Sequence, residues 1–277
     1  MAITVSLINM KGGVGKSTLT VNLASYFARL MKKKVLVIDL DPQFNASQYL
    51  LGQEKYMNIY KTDKATVWDI FEQNTPSPSG TNPLVAPHDA IINVSTSQPG
   101  KLDLIPSRFE LAFSLKNPFQ KESKLAKVVE KIGNEYDLIL IDCAPTESIL
   151  TTAAYLASDY LLVPVKPEYL SSIGLPLLAS SIRNFKNEYE TSKLQVAGIV
   201  FNNSTKPVPE TDLSKIEVKE LASSQNWHIF QNEIPFSESF PKGAREGTSI
   251  IFTKHVKEKQ WLKLAALARE FGERIGL

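Results

Sequence analysis

Short unbroken apolar runs alternate along the chain with longer segments in which apolar residues return every three or four positions. Residues 3–8 are rich in β-branched and aliphatic types and predict a buried strand. Residues 17–31 carry Leu19, Leu23, Phe27 and Leu30 at helical spacing, and residues 34–39 predict a second buried strand. A glycine-rich turn at 10–15 separates the first strand from the helix, so the opening segment reads as a βαβ unit of a parallel sheet. The same order returns as a strand at 136–142, a helix at 147–157, a strand at 159–165, a helix at 170–189 and a strand at 194–201. A further strand is predicted at 102–105, helical segments at 109–115 and 124–132, and a long closing helix at 254–275. Strands this uniformly aliphatic must be covered on both faces. The pattern predicts an α/β fold, a doubly wound, mostly parallel sheet flanked by helices.

Residues 75–87 interrupt the pattern with Pro76, Pro78, Pro83 and Pro87 among serine, glycine and asparagine. Sheet-forming sequence resumes beyond them, so they read as a surface excursion within one domain spanning residues 1–277. A chain 43% hydrophobic and 22% charged has ordinary globular proportions, which excludes extended disorder. A formal charge of +2 leaves nucleic-acid binding to local clusters of bases. The single cysteine, Cys143, excludes an internal disulfide, a zinc knuckle or an iron–sulfur cluster built by this chain alone. With no basic leader and no apolar run long enough to span a bilayer, the expected location is the cytoplasm.

Chemistry concentrates at the predicted strand ends. In Met10-Lys11-Gly12-Gly13-Val14-Gly15-Lys16-Ser17-Thr18, glycines allow successive backbone N–H groups to close around phosphate oxygens. The following helix adds its positive end. Lys16 is spaced to reach β- and γ-phosphates, and the Ser17 hydroxyl to ligate Mg²⁺. The strict phosphate-loop pattern fails at its first glycine, which is Met10 here, and Lys11 stands directly before the double glycine. Asp39 and Asp41 lie at the carboxyl end of the second strand, where ligands bind in such sheets. Asp142 ends the aliphatic run 138–141, the placement of a carboxylate that holds Mg²⁺ through a water. Cys143 has no basic neighbour to activate it and is expected to be structural.

The run Lys-Gly-Gly-Val-Gly-Lys-Ser-Thr at 11–18 resembles the deviant Walker A loop of the ParA/MinD/Soj ATPases, a superfamily that also includes the nitrogenase iron protein and arsenite ATPases. Asp39-Leu40-Asp41-Pro42-Gln43-Phe44-Asn45-Ala46 resembles the narrower ParA/Soj motif, with Phe44 in place of the usual glycine. Cys143-Ala144-Pro145-Thr146 resembles the family's Cys-Pro-Pro-Ser switch, with Ala144 and Thr146 as departures. The likeness extends through 104–108, 163–168, 174–175 and 198–202 and is weakest from 56 to 99. It implies an ATPase of the P-loop class using ATP and Mg²⁺, slow alone. Lys11 would cross a dimer interface to the partner's nucleotide, Asp39 would lie near Mg²⁺ and its waters, and Asp41 would orient the attacking water. Asn202 would read the adenine edge, and the backbone at Pro235 and Phe236 would flank the purine, Phe236 departing from the family's arginine. The implied partners are a second copy, non-specific DNA and a ParB-like centromere-binding adaptor, with a nucleoid-associated location and plasmid or chromosome segregation as the leading role.

Bases that could meet DNA are Lys206, Lys242, Arg245, Lys254, Lys257, Lys259 and Lys263, the last four expected on the closing helix. With Lys11 so early in the chain, no helix-turn-helix is expected ahead of it. A MinD-like membrane ATPase is the first alternative. It would need a basic amphipathic tail, whereas Leu264, Leu267, Phe271 and Ile275 form a stripe suited to docking on the core. A biosynthetic P-loop ligase is the second, and no residues stand out as its substrate pocket.

Overall fold

A computed structural model describes residues 1–72, 85–116, 121–168, 171–204, 209–249 and 252–277. The proline-rich excursion predicted at 75–87 and Lys206 fall mostly or wholly outside the described residues. Strand β1 (Ile3–Leu7) leads into helix α1 (Lys16–Arg29) and β2 (Lys34–Leu40), followed by α2 (Asn45–Lys61) and α3 (Val67–Glu72). A hairpin of β3 (Ile92–Ser97) and β4 (Gly100–Ile105) precedes α4 (Lys124–Ile132), β5 (Leu138–Cys143), α5 (Ile149–Ala157), β6 (Tyr160–Val165) and α6 (Ser171–Glu188). The chain finishes with β7 (Gln195–Ser204), α7 (Pro209–Ser224), the two-residue β8 (Ile234–Pro235), α8 (Ser239–Arg245) and α9 (Glu258–Ile275).

The strands run in the order β3-β4-β2-β5-β1-β6-β7-β8, all parallel except β3, which pairs antiparallel with β4. Every residue of β5 is buried, as the aliphatic pattern requires for a strand covered on both faces. Alternate residues supply opposite cores, because side chains alternate across the sheet. Val35 and Val37 face the layer that holds Leu23, Phe27, Leu267 and Phe271, while Leu36 and Ile38 face the layer of Ile132, Leu150, Tyr155 and Leu178. Leu264, Leu267, Phe271 and Ile275 are all buried, so the stripe of α9 docks on the sheet as expected and is not presented to a lipid surface. Among the described residues no helix is long and apolar enough to cross a membrane.

The structure adds α2, α3, α7, β8 and α8 to the elements expected from sequence, and it differs at three further places. The strand β3 is polar and half-exposed, an edge strand without the aliphatic run that marks its neighbours. Residues Phe109–Leu115 are helical as expected, in the tighter 3₁₀ form. The closing helix begins at Glu258, not 254, because Lys257 is extended and its amide is capped by Gln260 Oε1 at 3.2 Å. Lys254 and Lys257 therefore precede the helix that carries Lys259 and Lys263.

Phe271 is fully buried, with its ring 6.1 Å from that of Phe27 and 6.4 Å from that of Phe230. Phe271→Ala removes the wedge between α9 and α1 and is expected to destabilise the fold by about 3–5 kcal/mol, measured by urea denaturation.

Candidate functional site

Parallel register assembles the site. Residue Leu7 of β1 lies beside Asp142 of β5, and Asp39 of β2 lies on the other side of Asp142. Carboxylates far apart in sequence thus meet at one sheet end, next to the loop between β1 and α1. The chain crosses to opposite sides of β1 after β1 and β5, which leaves the crevice at the carboxyl ends where α/β sheets take ligands.

The loop needs its glycines. Gly13 and Gly15 have φ of +74° and +86°, a left-handed region costly for residues with a Cβ. A Cβ on Gly15 would also stand 2.3 Å from Asn202 Nδ2. That nitrogen donates to the Val14 carbonyl at 2.8 Å, so Asn202, expected at the adenine edge, braces the loop from β7 while also lining the cavity. Val14 is buried under the loop, whereas Gly12 and Gly13 are exposed.

Lys16 is buried, and its Nζ donates to the carbonyls of Asn9 and Lys11 at 3.2 Å each. Burial lowers its pKa, opposed by the charges of Asp142 and Asp41. Asn9 is a site residue that the sequence reading missed. It donates to the Pro164 carbonyl at 2.8 Å and accepts from the Lys11 amide at 2.9 Å, tying the loop to β6. A polar residue ending an aliphatic strand was the available signal. The Lys11 ammonium, expected to reach out of the chain, is paired here with Glu168, which also binds Lys166 at 2.7 Å.

The three aspartates have different surroundings. Asp39 is fully buried with both oxygens engaged: Oδ1 accepts from the Asp41 amide at 3.2 Å, and Oδ2 from the Ser47 amide at 2.7 Å and hydroxyl at 2.6 Å. Burial pushes its carboxyl up to about 7 against those hydrogen bonds. Asp41 lines the cavity and accepts the Gln43 amide at 2.9 Å. In Asp142, Oδ1 accepts from Thr20 at 3.3 Å while the buried Oδ2 has no hydrogen-bond partner among the described residues. Burial, then the charge of Asp39, raises its carboxyl well above the usual range, opposed by the nearby Ser17 hydroxyl and the Lys16 ammonium. Cys143 is buried, and burial pushes its thiol up to about 12, consistent with a structural role.

Beside these buried groups lies a cavity of about 1170 Å³ whose wall includes Gly12, Gly13, Gly15, Lys16, Ser17, Thr18, Asp41, Asn202 and Phe236. Phe236 is more than half exposed and held by its amide on the Ser204 carbonyl at 2.8 Å, with Pro235 paired to β7 just before it. Arg245, predicted as a DNA contact, is also on this wall, one turn of α8 from the exposed Lys242. No group of three or more histidines, cysteines or carboxylates able to hold a metal occurs among the described residues. An orphaned carboxylate oxygen beside one serine hydroxyl is instead a partial donor set. It suits a Mg²⁺ that keeps waters and takes other oxygens from a phosphate ligand.

Comparison with known proteins places the arrangement. An AAA-domain family profile matches residues 2–196. The sporulation initiation inhibitor protein Soj of Bacillus subtilis is 30% identical over 251 residues, covering 89% of each chain. The chain belongs to the ParA/Soj family of ATPases. Its fold is also that of a Cyanothece McdA variant solved with ATP (TM-score 0.80, 19% identity, covering 100% of this chain and 97% of that one). A plasmid partition protein from Borrelia burgdorferi gives a TM-score of 0.67 at 24% identity, covering 92% of this chain and all of the other.

For this ParA/Soj-family loop, Gly15→Ala combines a left-handed backbone with a clash against a bracing side chain. It is expected to lower stability by about 2 kcal/mol in urea denaturation. Adding Asn202→Ala should restore part of the loss but not the backbone component.

Proposed function

We propose that this protein is a Mg²⁺-dependent ATPase of one domain that closes as an ATP-bound homodimer, binds DNA without sequence preference and partitions or positions a cargo, plasmid or chromosome segregation being the leading role. The observation that carries this reading is the buried, unpartnered Asp142 Oδ2, acted on by Ser17 and Lys16, which themselves line a cavity shared with Asp41. Family membership supports the partition role, and a ParB-like adaptor and the nucleoid are the partners and location it implies.

Amides of residues 12–18 would hold the phosphates of ATP. Lys16 Nζ would exchange the Asn9 and Lys11 carbonyls for phosphate oxygens, carrying its charge into a site where burial disfavours it without an anion. Ser17 and Asp142 are the residues that would hold Mg²⁺, which when bound supplies charge neutralisation between the phosphates. Asp41 would orient water for attack on the γ-phosphorus as the bond to the β,γ-bridging oxygen breaks. Asp39 holds the backbone that carries Asp41, because its oxygens are engaged by Asp41 and Ser47. Lys11 would leave Glu168 and meet the partner's triphosphate, the in-trans cation of such ATPases. Non-specific DNA would be met by the exposed Lys242, Lys254, Lys257 and Lys259 with Lys263 beside them.

Lys16→Ala is expected to weaken ATP binding about 10- to 100-fold by fluorescent-nucleotide titration, and unchanged affinity would remove the phosphate-loop assignment. Asp41→Ala should keep ATP binding while slowing phosphate release about 100-fold, leaving a dimer that persists on DNA in sedimentation assays. In Lys11→Ala the chain should remain monomeric with ATP in analytical ultracentrifugation. A salt titration should show DNA affinity falling steeply, and salt-independent binding would contradict a phosphate-backbone contact.

A further inference from the structure

The backbone between Asp41 and α2 closes as a tight turn, with the Phe44 amide donating to the Asp41 carbonyl at 2.8 Å. Phe44 takes φ +46° and ψ +32°, the left-handed region that favours glycine, the residue the ParA/Soj motif has at this position. A phenylalanine there is strained, so something must hold it. Its ring stacks on Tyr56 with centroids 4.9 Å apart and planes 14° from parallel. An unbroken helix from residue 44 to 56 would rise about 18 Å, beyond the reach of two aromatic side chains. The contact exists because α2 breaks at Gly52 (φ +73°, ψ +163°) and turns its second half back toward the turn. Tyr56 is itself anchored: it is buried, and its hydroxyl donates to the Ser107 carbonyl at 3.0 Å. Ser107 in turn donates its amide to Ser47 Oγ at 2.9 Å, and Ser47 Oγ donates to Asp39 Oδ2.

We infer that Phe44 and Tyr56 form an aromatic clip that fixes the Asp41 turn before nucleotide arrives, making both of them positioning residues for hydrolysis. The clip holds one end of the turn while Asp39 holds the other, through the Asp41 amide. A glycine at position 44 would make the same turn without strain and without an anchor, so this chain exchanges backbone freedom for a preset loop. The inference rests on the reading of Asp41 as the residue that orients the attacking water.

The test compares Phe44→Gly, Phe44→Tyr and Tyr56→Phe with the unmodified protein in two assays, Mg-ATP turnover and amide hydrogen exchange across residues 40–47 without nucleotide. Glycine removes the backbone strain together with the ring, so Phe44→Gly should fold normally. Its kcat should fall about fivefold with ATP affinity unchanged, and its turn amides should exchange faster by a similar factor. Phe44→Tyr keeps the stack and should restore both values, whereas Tyr56→Phe keeps the stack but loses the Ser107 anchor and should fall between. Equal kcat and equal exchange in Phe44→Gly and the unmodified chain would overturn the clip, as would a loss of ATP affinity matching the loss of kcat. An unmodified chain that does not hydrolyse ATP would refute the ATPase reading instead, and the exchange measurement would still decide the clip.

Discussion

A carboxylate buried with one oxygen unpaired is the constraint around which this molecule is arranged. Asp142 sits at the end of a fully buried strand, flanked by Asp39 one strand away and by the Lys16 ammonium across the loop. Removing a carboxylate from water costs several kcal/mol unless a cation or donors replace the lost hydration. Thr20 satisfies one oxygen only. A cation or hydrogen-bond donor that reached Oδ2 would offset part of the hydration that burial removes.

Around that centre the polar groups divide into those that await a ligand and those already committed to the protein. Asp39, Asn9 and Asn202 belong to the second kind: each joins a loop to a strand by hydrogen bonds that a ligand would have to break. Lys16 and Lys11 are cations held by acceptors alone, one on two backbone carbonyls and the other on the shared, part-exposed Glu168. Ammonium groups exchange such partners readily for phosphate oxygens, which carry more charge. The rigid brackets and the exchangeable cations are thus different residues. A site of this design can accept and release a nucleotide without dismantling the loop that binds it.

The phosphate loop was legible in the sequence because its requirements are local. Left-handed backbone at Gly13 and Gly15, and a lysine and hydroxyl at fixed spacing, are properties of consecutive residues. The strand ends carrying Asp39, Asp41 and Asp142 were legible as well, since aliphatic runs mark buried strands and the acid falls where each run stops. The edge strand β3, the break in α2 and the short α8 carried no comparable signal. Their residues are polar or irregular, and they form because distant segments pair with them or pack against them. The basic residues near the end of the chain show the same limit: Arg245 reads as surface charge in sequence, yet α8 brings it to the cavity wall.

The sheet class, the glycine loop and the three acids follow from residue order alone, because hydrophobic period and backbone sterics act over a few residues. How those acids differ is a product of folding. Parallel register set Asp39 against Asp142, a serine from α2 took both remaining contacts of one, and no described residue closes a hydrogen bond on the last oxygen of the other. Desolvation and pairing depend on what arrives from distant segments, so identical side chains acquire different roles after the chain has folded.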